Sequence, residues 1–250
     1  MSQSTETPPI ITQRDDSGIV TLTFNRPDAR TVLSRQMLSD FAAVLDAVAA
    51  DDQARVVLLR AEGPGFCAGH DLREIKAHQA DGDGGAAFNA DLFASCAKVM
   101  GQIRALAQPV IAVVHATAVA AGCELVATCD MAIASQTARF GVNGINIGLF
   151  CSTPAVALAR NVTRKRAFEL LSTGRLIDAG EALEIGLVNR VVEADVLDEE
   201  PRALASSIAE KPAEAVAIGK HTFYRQVALP VDEAYPVAGS AMVANLELDA

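Results

Sequence analysis

The stretch Pro109 to Asp130, PVIAVVHATAVAAGCELVATCD, decides how this chain is read. Its first part, Pro109 to Ala116, is a short apolar run rich in β-branched residues, which predicts a strand buried on both faces. Small residues follow from Thr117 to Gly122, and then a helix-forming segment carrying Glu124 and Leu125. A strand, a small-residue turn and a helix start together leave unpaired backbone N–H groups at a cleft. Ala121 and Gly122 are the candidate donors, because small side chains let a ligand approach the backbone closely. Glu124 falls in the first helical turn. His115, Gly122 and Glu124 interrupt the apolar run, so it does not read as a membrane span.

The same layout occurs upstream. Arg55 to Arg60, RVVLLR, reads as a buried strand, and Phe66 to Leu72, FCAGHDL, as a tight turn before a helix. Ala68 and Gly69 add almost no bulk, His70 is a polar turn residue, and Asp71 is placed to cap the helix. Two such turns can aim two N–H donors at one oxygen, which stabilises negative charge developing on a carbonyl. Losing one donor of that kind costs roughly 3–4 kcal/mol of barrier. A carboxylate a few residues from one donor, here Glu124, is then positioned to move a proton near the same carbonyl.

Outward from these turns, Gly18 to Phe24 reads as a strand and Ser34 opens an amphipathic helix to about Ala50. A helix is expected from about Ala86 to Leu106, and a third buried strand at Met131 to Ser135, MAIAS. After Pro154 helices dominate, at about 153–172, 178–185, 198–210, 212–227 and 232–248, with one strand-like run at Leu187 to Val192. Strands alternating with helices, followed by a helical end, argue for an α/β core with a helical C-terminal segment. Crossover helices of this length allow parallel strand pairs. The expected division is a disordered tail at 1–9, a core at 10–192 and a helical segment at 193–250.

The 250 residues are half hydrophobic with no Trp, and the formal charge is −10. That balance disfavours nucleic-acid partners. A small anionic ligand needs only a local basic cluster, which Arg26, Arg30, Arg73 and Lys76 offer. Five cysteines without a CxxC pair, and four scattered histidines, match no zinc pattern, so no metal is expected and the thiols read as reduced and buried. The polar N-terminus has neither a signal-peptide apolar run nor an Arg-rich amphipathic pattern. The expected address is therefore the cytoplasm, with no membrane partner.

FCAGHDL and Pro109 to Asp130 resemble the two site-forming blocks of the crotonase (enoyl-CoA hydratase/isomerase) family. NRPDARTVLS at 25–34 resembles that family's N-terminal block, and STGRLIDAGEALEIGLVNRVV at 172–192 its downstream one. The blocks run in the family's order over about residues 10–245. Gly144 to Pro154, GINIGLFCSTP, further resembles the branch described as enoyl-CoA hydratase domain-containing protein 3.

The resemblance implies an α/β spiral of ββα units with a helical C-terminal trimerisation segment, as a homotrimer or a dimer of trimers. It implies an acyl-CoA thioester as substrate, with no separate cofactor because coenzyme A is part of the substrate. The carbonyl would lie on the N–H groups of Ala68 and Ala121. Gly69, His70, Asp71, Gly122 and Gly144 would line the thioester, Arg30 and Arg26 would meet the CoA phosphates, and Glu124 would be the catalytic carboxylate. Three positions depart from the pattern. The family's triple glycine is Ala120-Ala121-Gly122, an N-terminal Asn is Thr31, and the second glutamate of hydratases is Gly144. Hydration of a 2-enoyl-CoA is the leading activity, weakened by that loss. Isomerisation and binding without catalysis remain the alternatives.

Overall fold

The computed structural model describes residues 8–248. Most of the expected 1–9 tail therefore lies outside the described residues. A six-stranded sheet runs in the order β1 (Ile10–Arg14), β2 (Ile19–Phe24), β4 (Val56–Ala61), β7 (Val110–Val114), β9 (Met131–Ser135) and β12 (Arg190–Val192). Every neighbouring pair from β2 to β12 is parallel, and β1 closes the edge antiparallel to β2. A four-stranded sheet follows the order β11 (Ile177–Asp178), β10 (Arg139–Gly141), β8 (Thr117–Val119) and β5 (Gly65–Cys67). A third pairs β3 (Val32–Leu33) with β6 (Gly69–His70).

The strand alternation explains the layering. Val57 and Leu59 of β4 face the larger core, where α1 (Arg35–Ala49), α3 (Ala86–Ala105) and α4 (Ala121–Thr128) pack. Val56 and Leu58 face the opposite side, with Ile111, Val113 and Ile133, and are covered by Leu197 and by Ala205 of α8 (Glu199–Ala209). Burial on both faces is what makes these strands continuous apolar runs.

The expected helices form with shifted ends. Ser34 caps α1 by accepting from the Met37 amide at 3.1 Å. Asp71 caps α2 (Leu72–His78) by accepting from the Arg73 amide at 2.9 Å. The helix expected at 153–172 is two, α5 (Ser152–Asn161) and α6 (Arg164–Thr173), parted at Val162 and Thr163, both extended. α7 (Ala179–Glu184) follows β11, and α9 (Ala213–Gln226) and α10 (Val231–Leu246) end the described chain.

One buried polar hub ties the helical end to the core. Lys220 of α9, 8% exposed, donates to Asp130 Oδ2 at 2.7 Å and to the carbonyls of Ile103 and Gln108 at 3.0 Å. Asp130 also accepts from the Val110 amide at 2.6 Å and the Tyr224 hydroxyl at 2.7 Å. All three Lys220 protons and both Asp130 oxygens thus have partners, the condition under which a buried pair is tolerated. No helix among the described residues is long and apolar enough to cross a membrane.

Candidate active site

Sequence reading expected the two small-residue segments to be turns. Each instead contributes a short strand, β5 with β6 and β8, because adjacent parallel pairing satisfies their backbone groups. What brings the segments together is two glycines. A side chain at Gly122 would run into the Cys67 carbonyl and come within 2.8 Å of Cys67 Cβ. One at Gly69, whose φ is +85°, would meet Ala120 Cβ at 3.0 Å and the Ala121 nitrogen at 3.2 Å. The start of α4 therefore rests directly on the Cys67–Gly69 backbone.

The turn into α4 is strained. Ala120 has φ +51° and ψ −122°, outside any helix-start geometry. For a residue with a Cβ such a left-handed φ costs about 1–2 kcal/mol. The Ala120 amide donates to the Gly141 carbonyl at 2.9 Å, which pins the turn. Ala121 and Gly122 follow as the first residues of α4, where amides have no intrahelical acceptor. The Ala68 amide, by contrast, donates to the Arg30 carbonyl at 3.2 Å. Arg30 and Thr31 both have positive φ, 50° and 48°. Thr31 is fully buried with its hydroxyl unpartnered, so the departure from Asn falls at a position where a β-branched residue is strained.

Where the two segments meet there is a cavity of about 370 Å³. Ala68, His70, Val119, Ala120 and Ala121 line one side. Asn143, Gly144 and residues 146–154 except Gly148 line the other, and Leu72, Ile75 and Phe93 complete it. Of the residues singled out from sequence, Ala68, His70, Ala121 and Gly144 border this space; Gly69, Asp71 and Gly122 do not line it, though the two glycines allow its two sides to meet. Arg26 and Arg30 are exposed. Arg73 is held by Asp71 at 3.1 Å.

Glu124 does not itself line the cavity; it stands in the first turn of α4, 5% exposed, with Oε2 buried and unpartnered. Burial without a partner raises its carboxyl from the ordinary 4.5 to about 7. Its charge acts on the Cys151 thiol, which does line the cavity. His70 Nδ1 lies 3.2 Å from the Leu33 carbonyl, and its buried Nε2 has no partner. A carbonyl only accepts, so Nδ1 carries the proton and Nε2 is a lone-pair acceptor. Burial also lowers the His70 pKa.

Gly144 sits in a single 3-10 turn, Asn143–Ile147. A Cβ there would fall against the Leu149 carbonyl and within 2.8 Å of Cys151 Sγ. The wall that could hold a second carboxylate is thus closed by the backbone and by Cys151. Sequence reading placed Gly144 at the site; it noted Cys151 only as close in sequence and, like Asn143 and Asn146, a poor substitute for the missing carboxylate. The six residues between Gly144 and Cys151 gave no hint that the chain folds back so tightly. All five cysteines are unpaired and buried. Among the described residues, no cluster of three or more His, Cys, Asp or Glu could hold a metal ion.

Stepped parallel sheets wrapped by helices, with a cavity where two strand-to-helix junctions abut, are the architecture of the crotonase fold. The crystal structure of an enoyl-CoA hydratase from Mycobacterium smegmatis superposes with a TM-score of 0.92 at 48% identity, covering 96% of this chain and 92% of that one. That of human enoyl-CoA hydratase domain-containing protein 3 gives 0.90 at 42% identity, covering 96% and 93%. Residues 14–245 match the family model described as enoyl-CoA hydratase/isomerase. The chain belongs to that family. Among curated relatives, the rat protein named enoyl-CoA hydratase domain-containing protein 3, mitochondrial, is 42% identical over 96% of this chain and 79% of its own length. The human protein of that name is 43% identical over 94% and 76%. The resemblance to this branch is therefore upheld. The cytoplasmic expectation is not: these relatives are named mitochondrial, and the lack of a leader-like pattern at the N-terminus does not specify an address.

Proposed function

We propose that this chain is a hydratase-type lyase that adds water to a 2-enoyl-CoA through a thioester enolate. The thioester oxygen takes the amides of Ala121 and Ala68, displacing the Arg30 carbonyl as the acceptor of the latter. Two donors fixed on abutting backbones favour charge that develops on that oxygen, without reorganisation during the reaction. Ala68 to Asp71, Ala121, Gly122 and Gly144 frame the thioester, and the exposed Arg26 and Arg30 meet the CoA phosphates. CoA arrives with the substrate, so no separate cofactor is needed.

The observation that carries this reading is Glu124, a buried carboxyl with an unpartnered oxygen, one helical turn from the Ala121 amide. The nucleophilic water is the hydrogen-bond donor that this oxygen takes, and it bridges from the carboxylate to the cavity. A carboxyl held near 7 is poised to accept that proton at neutral pH. Turnover of 2-enoyl-, 3-enoyl- and branched acyl-CoAs by wild type and Glu124→Gln, with the products identified, tests it. Hydration lost in the variant supports Glu124 as base, and unchanged hydration removes it. Calorimetric binding of CoA esters without turnover by wild type would establish a binding protein instead. A shifted double bond would establish an isomerase.

We infer further that the chain works as a homotrimer or a dimer of trimers. α9 and α10 pack on each other and leave Val231, Tyr235, Met242 and Leu246 at least 69% exposed. An apolar surface of this kind marks a contact between chains. Sedimentation equilibrium of the wild type checks it; a monomer at micromolar concentration refutes it.

A further inference from the structure

The hydration proposed above needs two proton movements: one away from the incoming water, and one onto the α-carbon. Glu124 accounts for the first. The second needs a group that borders the cavity and holds a proton at neutral pH. Among the cavity-lining residues only His70 and Cys151 carry ionisable side chains. His70 is excluded by its own hydrogen bond, since its proton is committed to the Leu33 carbonyl and its other nitrogen is an acceptor. Ser152 and Thr153 carry hydroxyls, but these are far weaker acids than a thiol. Position 144 cannot carry an acid, because Leu149 and Cys151 fill the space a side chain would need.

We propose that Cys151 is the second proton-handling group of this site and donates its thiol proton to the α-carbon of the bound thioester. The proposal rests on the hydratase reading. Two independent observations converge on it. Cys151 Sγ stands beside Gly144 on the wall facing Ala68 and Ala121. The buried, unpartnered Glu124 lies close enough for its charge to act on that thiol. Near Cys151 the other titratable groups are Cys123 of α4, in the same cluster, and His70 across the cavity. Burial and the Glu124 charge both hold the thiol in its protonated form. It is a poor nucleophile for the same reason, which favours donation over addition to the double bond.

The step balances. Water oxygen bonds to the β-carbon while Glu124 takes one of its protons, and the carbon–carbon π pair moves into the enolate. The enolate then collapses and takes the proton from Cys151, leaving a thiolate. The Glu124 carboxyl, the stronger acid of the two, returns its proton to that thiolate, and the enzyme is restored with no oxidant or other reactant.

The test uses the full-length protein with short, medium and long trans-2-enoyl-CoAs, comparing wild type, Cys151→Ala, Cys151→Ser and Glu124→Gln. Cys151→Ala should lower kcat roughly 100-fold or more, the usual loss for a missing acid or base, with KM little changed. It should also abolish the fall of kcat at alkaline pH that thiol ionisation imposes. In D2O, wild type should place one deuteron at the α-carbon in a single configuration, and Cys151→Ala should scramble it. Cys151→Ser should recover part of the rate and push the alkaline fall upward. Wild-type kcat, pH profile and stereochemistry in Cys151→Ala would overturn the proposal alone, provided Glu124→Gln is inactive. Full activity in Glu124→Gln, or no turnover by wild type of any chain length, would overturn the hydratase reading and the proposal with it.

Discussion

Replacing Glu124 with Gln should stabilise the protein, and by an amount that depends on pH. The carboxyl is 5% exposed and has an unpartnered oxygen, and its pKa rises from 4.5 to about 7 on burial. At about 1.4 kcal/mol per pKa unit, ionising it inside the fold costs roughly 3 kcal/mol more than ionising it in the unfolded chain. The raised pKa fixes the sign. Below about pH 4.5 both states are protonated and the group imposes no penalty. As pH rises from there through about 7 the unfolded chain ionises first, and the folded protein loses stability. Above about 8 the loss is complete and constant. Urea unfolding of wild type and Glu124→Gln across this range measures it. The variant should match wild type near pH 4.5 and exceed it by roughly 3 kcal/mol at pH 8. A difference that does not change with pH would refute the burial argument, and with it the poising of Glu124 as a base. The same ionisation should appear as an acid limb in kcat, with activity gained as pH rises through 7.

Two backbone predictions follow from the same turns. Gly144→Ala places a Cβ against the Leu149 carbonyl and 2.8 Å from Cys151 Sγ, and should destabilise by about 1–3 kcal/mol in urea titration. Restoring a glutamate at 144 by one substitution should therefore fail to raise activity. Ala120→Gly relieves the positive φ of +51° and should stabilise by about 1 kcal/mol, visible as a raised thermal midpoint.

Much of the fold was legible because its strands are buried on both faces. Val56 to Leu59 and Val110 to Val114 are apolar runs with no polar side to confuse the reading. β1 was missed for the opposite reason: as an edge strand its residues after Ile11, Thr12 to Arg14, are polar and exposed. The break between α5 and α6 also escaped, since Val162 and Thr163 carry neither Gly nor Pro to mark it. In the site, the two glycine-bearing segments announced themselves by small residues next to strand ends. Tertiary closeness did not. The bond from the Ala68 amide to Arg30, the Asp130–Lys220 pair across 90 residues, and Cys151 against Gly144 are all products of chain return. No local pattern encodes them. The shielding of Glu124 from the cavity belongs to the same class.

The proposed hydration requires that the amides of Ala68 and Ala121 hold a thioester carbonyl. It is tested most directly by the carbon-13 resonance of the carbonyl in a bound, carbonyl-labelled saturated acyl-CoA, which requires no turnover. Two N–H donors polarise the carbonyl, so its resonance should move downfield on binding, in Glu124→Gln as in wild type. A ligand that binds in slow exchange yet keeps its free-solution resonance would contradict it.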